Sequence, residues 1–187
     1  MLAVEICSSS YYSDGTYDTV IGNAICADGA AKFLIDTDSQ GCECPEIIDF
    51  ESLLDPEQLD RVGLEHKDGK LRIILAPSIP KLAAPMIAGA VDSLLRRHNL
   101  NRSDIRFWVM HPGGRKVIDS VRRHMGLSDD QVEFSRRVMR NYGNMSSPTV
   151  MFVLEEVVRT ADPQPGDWGV MTALGPGMAA EAALLRW

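Results

Sequence analysis

Residues 105–110, IRFWVM, form a strand-length run that is apolar except for Arg106 and stops at His111-Pro112-Gly113-Gly114. Past the glycines, Val117, Ile118, Val121 and Met125 recur at helical spacing, which predicts a helix over 112–125. A short buried strand that breaks through a tight turn into a helix is the local pattern of an α/β fold. The flanking segments repeat it. Residues 82–98 predict a helix, with Met86, Ala90, Val91, Leu94 and Leu95 on one face and Arg96, Arg97 and His98 in the last turn. A helix over 134–142 is stopped by Gly143, and Ser147-Pro148 opens another that runs to Arg159. Ser128 and Gln131 have the spacing of a capping box.

Strands are expected at LAVEICSSSYY (2–12), KFLID (32–36), EIIDFESLL (46–54) and LRIIL (71–75). WGVMTAL (168–174) and AAEAALLRW (179–187) read as two closing strands joined by Gly175-Pro176-Gly177. The polar stretch 55–70 is expected on the surface, and the small residues around Asp28-Gly29 mark a close backbone approach. Interleaved strands and helices over 187 residues fit one α/β domain with a substantial core.

Composition removes several classes of function. A net charge of −7 argues against a general nucleic-acid binder. No apolar run is long enough to cross a bilayer, and the first residues lack the pattern of a signal peptide. A cytoplasmic, reducing setting is therefore expected, with Cys7, Cys26, Cys42 and Cys44 as free thiols. Cys42 and Cys44 lie too close together for a zinc knuckle, so no metal site is expected.

His111 is the first candidate for chemistry. It stands where ligands bind in α/β folds, at the carboxyl end of a strand and just before a helix N-terminus. Its imidazole can donate a hydrogen bond or carry a proton near neutral pH. Gly113 and Gly114 leave the backbone open to a substrate. Asn144, in RNYGNMSS between two helices, is the second candidate. A turn asparagine is ordinary structure, but beside a histidine its amide completes a two-donor site for a developing oxyanion.

FWVMHPGG, YGNMSS and ALGPGM, in that order and at these separations, together resemble type III polyketide synthases, the chalcone synthase-like family. DGAA and AVEICS fit as well, and the likeness covers the whole chain, residues 1–187, as the family's C-terminal half. The resemblance implies a thiolase-like fold whose C-terminal half is a mixed sheet flanked by helices. It implies an acyltransferase that condenses malonyl-CoA with an acyl-CoA starter, working as a homodimer without a cofactor. His111 and Asn144 match the histidine and asparagine of a Cys-His-Asn triad. Gly113 and Lys116 fall where the family contacts coenzyme A. Cys7, Ser10, Ile73 and Ser146 match cavity-shaping positions. Cys26 and Leu174 replace cavity phenylalanines, which implies a wider chamber.

The family's nucleophilic cysteine has no counterpart here. It precedes the segment that matches this chain, at a helix N-terminus that lowers its pKa. Cys26 is the alternative nucleophile within the chain. The resemblance thus implies a half-enzyme that needs its N-terminal half as partner, with an apolar face left for it. The competing expectations are a non-catalytic module that binds CoA or a partner, and a ketoacyl synthase III-type enzyme. The HPGG sequence, in place of the His-Gln-Ala-Asn of that last group, favours the polyketide branch.

Overall fold

A computed structural model gives the structure and describes residues 1–37 and 44–187. In chain order the elements are β1 (Leu2–Glu5), α1 (Tyr17–Ile25), β2 (Gly29–Lys32), β3 (Glu46–Leu54), β4 (Val62–Lys67), β5 (Lys70–Leu75), α2 (Ile79–Arg97), β6 (Ile105–Met110), α3 (Arg115–Met125), α4 (Glu133–Tyr142), α5 (Ser147–Thr160), β7 (Trp168–Gly175) and β8 (Ala179–Arg186). The main sheet has the order β3-β8-β7-β6 and is mixed: β6 runs parallel to β7, and the other pairs are antiparallel. β1–β2 and β4–β5 form separate two-stranded sheets.

Strand β6 explains why IRFWVM is so apolar. Trp108 and Met110 join the core made with α2 and α3, including Val91, Leu94, Ile118 and Val121. Phe107 and Val109 point the other way, into a second core with Val138 of α4 and Val153 and Val157 of α5. A strand buried on both faces has no polar side to alternate with. At the edge strand β3 the second face changes character. Leu53 packs toward α2, and Ser93 of α2 hydrogen-bonds Glu51. The alternate residues Phe50 and Leu54 are 63% and 61% exposed.

Several expectations shift. The first strand stops at Glu5, and a 3-10 turn takes Cys7–Ser10. The second is GAAK rather than KFLID, because the register with β1 runs from Leu2↔Lys32 to Glu5↔Gly29. Residues 17–25 form a helix that the hydrophobic pattern hid. The polar stretch 55–70 contains β4, which pairs with β5 across the two-residue turn Asp68-Gly69. Both turn residues have positive φ, 51° and 73°, the requirement of a type I′ hairpin. Helix α2 begins at Ile79, with Pro80 inside its first turn, where a missing N–H costs nothing. Helix α3 begins only at Arg115. The Ser128–Gln131 box closes in both directions, at 2.9 and 3.3 Å. Cys7 and Cys26 are free thiols, but Cys44 is disulfide-bonded. Cys42 lies outside the described residues.

Candidate active site

His111 is held by its backbone. Its N–H donates to the Thr172 carbonyl at 2.8 Å, which extends the parallel β6–β7 ladder by one step. The preceding carbonyl, Met110 O, accepts from the buried Ser135 hydroxyl of α4 at 2.7 Å. The strand end is thus clamped from both sides, and Gly113 N–H donates back to His111 O at 3.0 Å to make the turn. A Cβ on Gly113 would lie 3.8 Å from Cδ2 and 4.0 Å from Nε2 of the imidazole. Glycine here keeps one ring edge uncovered.

Asn144 sits on a short parallel bridge to Cys26, between α4 and α5. Its N–H donates to Ile25 O at 2.7 Å, and its C=O accepts from Ala27 N–H at 2.9 Å. Gly143 makes the approach possible: at φ 77°, ψ −166° it occupies backbone space that other residues avoid. The Asn144 side chain is oriented by its oxygen, which accepts from Ser146 N–H at 2.9 Å and from Thr149 Oγ1 at 3.5 Å. No acceptor among the described residues takes its Nδ2 hydrogens, so these donors remain for the cavity. Ser146 itself is at φ 60°, ψ −128°, a strained position for a residue with a Cβ.

One cavity of about 720 Å³ gathers most of the candidates. His111, Asn144, Gly113, Cys7, Cys26, Ile73, Ser146 and Leu174 all line it. Lys116 is exposed on the first turn of α3, outside the cavity wall, because the helix turns Val117 inward instead. The Ser10 side chain lies outside the described residues. The sequence reading missed Val62 and Leu64 of β4, whose turn signal, Asp-Gly, was present. It also missed Glu5, which lines the cavity and accepts from the Ser147 hydroxyl at 2.6 Å. No sequence signal marks Glu5.

Burial sets the electrostatics. Desolvation lowers the His111 pKa to about 4, so the ring is neutral at pH 7. Desolvation raises the Cys26 thiol to about 11, with the neighbouring Cys7 adding to the effect. Cys7 is raised as well, by burial first and then by the charges of Glu5 and Asp28. Nucleophilic cysteines need the opposite shift. Cys26 is therefore a poor substitute for the family's nucleophile. Among the described residues no cluster of His, Cys, Asp or Glu could hold a metal, and no helix is long and apolar enough to cross a membrane.

Residues 53–187 match the family of chalcone and stilbene synthases, C-terminal domain. The chain is 35% identical over 189 residues to the 3,5-dihydroxyphenylacetyl-CoA synthase of Amycolatopsis balhimycina, covering 100% of itself and 51% of that protein. It is 34% identical over 190 residues to the 1,3,6,8-tetrahydroxynaphthalene synthase of Streptomyces peucetius subsp. caesius, covering 100% of itself and 50% of the relative. Among solved structures it superposes on PKS-I from the brown alga Ectocarpus siliculosus with a TM-score of 0.86 at 33% identity, covering 100% of this chain and 52% of that one. Against the type III 1,3,6,8-tetrahydroxynaphthalene synthase of Streptomyces coelicolor A3(2) the TM-score is 0.88 at 25% identity, with 100% and 53% covered. The chain spans about half the length of the curated relatives it matches. A thiolase-like half-fold, a mixed sheet between helices and the matched residues agree: the chain belongs to the chalcone and stilbene synthase family of type III polyketide synthases, as its C-terminal domain.

Proposed function

We propose that this chain supplies the oxyanion site, His111 and Asn144, for decarboxylative condensation of malonyl-CoA with an acyl starter. The observation that carries the reading is convergence. Two side chains from separate elements line one cavity, and the Asn144 oxygen is already engaged, so its amide N–H groups are the part left for a ligand. The malonyl thioester carbonyl accepts hydrogen bonds from both residues. As CO₂ leaves, the electron pair of the broken C–C bond becomes an enolate, and its oxygen is held by the same donors. The enolate carbon attacks the starter thioester on the cysteine of the N-terminal half, and the cysteine sulfur leaves as thiolate.

The low His111 pKa suits this role. A neutral imidazole is a fixed N–H donor, and it becomes imidazolium only when a thiolate is brought against it to offset desolvation. The raised thiols of Cys7 and Cys26 support a reading in which the nucleophile comes from the N-terminal half. That half covers the second face of β3, where Phe50 and Leu54 stand exposed. Cys26 and Leu174 in the wall favour a bulkier starter or longer chain than phenylalanines would admit.

The test is release of acetyl-CoA from malonyl-CoA by the chain with and without its N-terminal half. Activity is expected only with the complement. In that complex His111→Ala or Asn144→Ala should cut condensation roughly a hundredfold, the scale of losing one oxyanion donor. Near-wild-type turnover in both variants removes these residues from the mechanism. The raised thiols also favour a second reading, a CoA-binding module without turnover. Retained CoA binding with no activity in the complemented chain would support it.

A further inference from the structure

The β4–β5 hairpin contributes Val62, Leu64, Ile73 and Leu75 to the cavity wall, yet its strands pair with neither of the other sheets, and at its open end Val62 O accepts a long bond of 3.4 Å from Gly177 N–H in the β7–β8 turn. The width of the chamber therefore depends on what ties the hairpin down. One tie is apolar. Ile73 packs onto α1 at Gly22, where a Cβ would come within 2.5 Å of Ile73 Cγ2. A second is polar and centres on Arg72, the residue beside Ile73. Its Nη1 donates to Glu65 Oε1 across the hairpin at 3.0 Å. Its Nε donates to Asp14 Oδ2 at 3.1 Å and its Nη2 to Thr16 Oγ1 at 3.0 Å, both just before α1.

The far end of this tie is fixed in turn. Asp14 Oδ1 accepts from Thr16 N–H at 3.0 Å, from the Thr16 hydroxyl at 2.6 Å and from the buried Thr19 hydroxyl at 2.8 Å. The Arg72 and Asp14 side chains are only 13% and 16% exposed. An isolated surface ion pair contributes little, but a forked guanidinium shared among fixed acceptors restricts geometry as well. The outlying contacts, Lys67 with Asp14 at 3.6 Å and Tyr12 with Asp68 at 2.9 Å, repeat the pattern at the hairpin's tip.

We propose that Arg72 is a positioning residue. By locking the hairpin to the start of α1 it fixes the cavity wall, and so sets the largest acyl chain the chamber admits. The part about acyl chains rests on the synthase reading above; the part about the wall does not.

Cys26 lines the same cavity and reports its width directly. The chain alone is treated with methyl and benzyl methanethiosulfonate, and labelling at Cys26 is followed by peptide mass. The ratio of benzyl to methyl rates cancels any change in thiol ionisation. In Arg72→Met the ratio should rise about tenfold, reflecting easier local opening of the hairpin. Arg72→Lys, which keeps the charge but not the fork, should fall between wild type and Arg72→Met. Asp14→Asn cuts the tie from its other end and should match Arg72→Met, so the test survives if one variant fails to fold. An unchanged ratio in either folded variant overturns the proposal. In the complex with the N-terminal half, Arg72→Met should raise the longest product by at least one extension unit. An unchanged ceiling in an active complex overturns the size-setting role. A wild-type complex with no product counts against the synthase reading, while the labelling ratio still decides the role of Arg72.

Discussion

Gly143 holds Asn144 in place, and replacing it with alanine should cost far more than the same change at another positive-φ glycine. Gly143 is at φ 77°, ψ −166°, in a region essentially reserved for glycine. Gly126 is at φ 72°, ψ 25°, the ordinary left-handed cap that alanine enters at about 1 kcal/mol. Their surroundings differ in the same sense. A Cβ on Gly126 meets nothing within 4 Å, whereas one on Gly143 lies 3.1 Å from both the Ala27 Cβ and the Ile25 carbonyl oxygen. That oxygen already accepts from Asn144 N–H at 2.7 Å, so it cannot retreat without lengthening the bond that seats the site. Backbone strain of about 2 kcal/mol and crowding of about 1 give roughly 3 kcal/mol for Gly143→Ala. With a urea m-value of about 2 kcal/mol/M, the midpoints should fall by roughly 1.5 M for Gly143→Ala and 0.5 M for Gly126→Ala. Equal losses in the two variants would refute the claim that crowding and backbone geometry at Gly143, rather than positive φ as such, position Asn144.

The remaining expectations concern the rest of the site. NMR titration of the chain alone should place the His111 imidazole pKa near 4, well below an unfolded value of about 6.5. Because the folded pKa is depressed, the unfolded chain takes up the extra proton first. Stability is full above about pH 6.5 and declines toward pH 4, by up to roughly 3 kcal/mol. Urea midpoints of wild type minus His111→Phe across that window isolate the effect from the carboxylates, and a flat difference would count against it. Ser135→Ala leaves Met110 O without its buried donor and should cost about 1–2 kcal/mol, read by the same melts. Phe50→Lys should reduce concentration-dependent self-association of the isolated chain in sedimentation velocity; unchanged association would show that this face is not the sticky one.

What the sequence revealed depends on what each segment buries. Strand β6 is enclosed by two cores, so its apolar run was plain, and His111 was marked by the Pro-Gly-Gly that ends it. Asn144 was marked by Gly143 and by the Ser-Pro that opens α5. Helix α1 was hidden for the converse reason. Its fully buried positions are Thr19 and Gly22, while Val20 is 53% exposed, so hydrophobic spacing pointed away from the inward face. KFLID misled in the same way, because Leu34 and Ile35 are 86% and 57% exposed. A periodicity argument assumes that apolar residues face the protein's own core, and that assumption weakens where a face is left open.

The neutral imidazole and the quiet thiols have one physical origin. A cavity that desolvates His111 enough to hold it neutral must also desolvate the thiols beside it, and it does: Cys26 rises to about 11 while His111 falls to about 4. The same wall therefore cannot prepare neutral donors and a thiolate at once. A nucleophile for this site has to bring its own stabilising field, such as a helix N-terminus aimed at the sulfur. Helix α5, which starts beside the site, directs the Ser146 N–H and the Thr149 hydroxyl of its first turn at the Asn144 oxygen. Neutral donors and a thiolate thus have incompatible dielectric needs within this one wall.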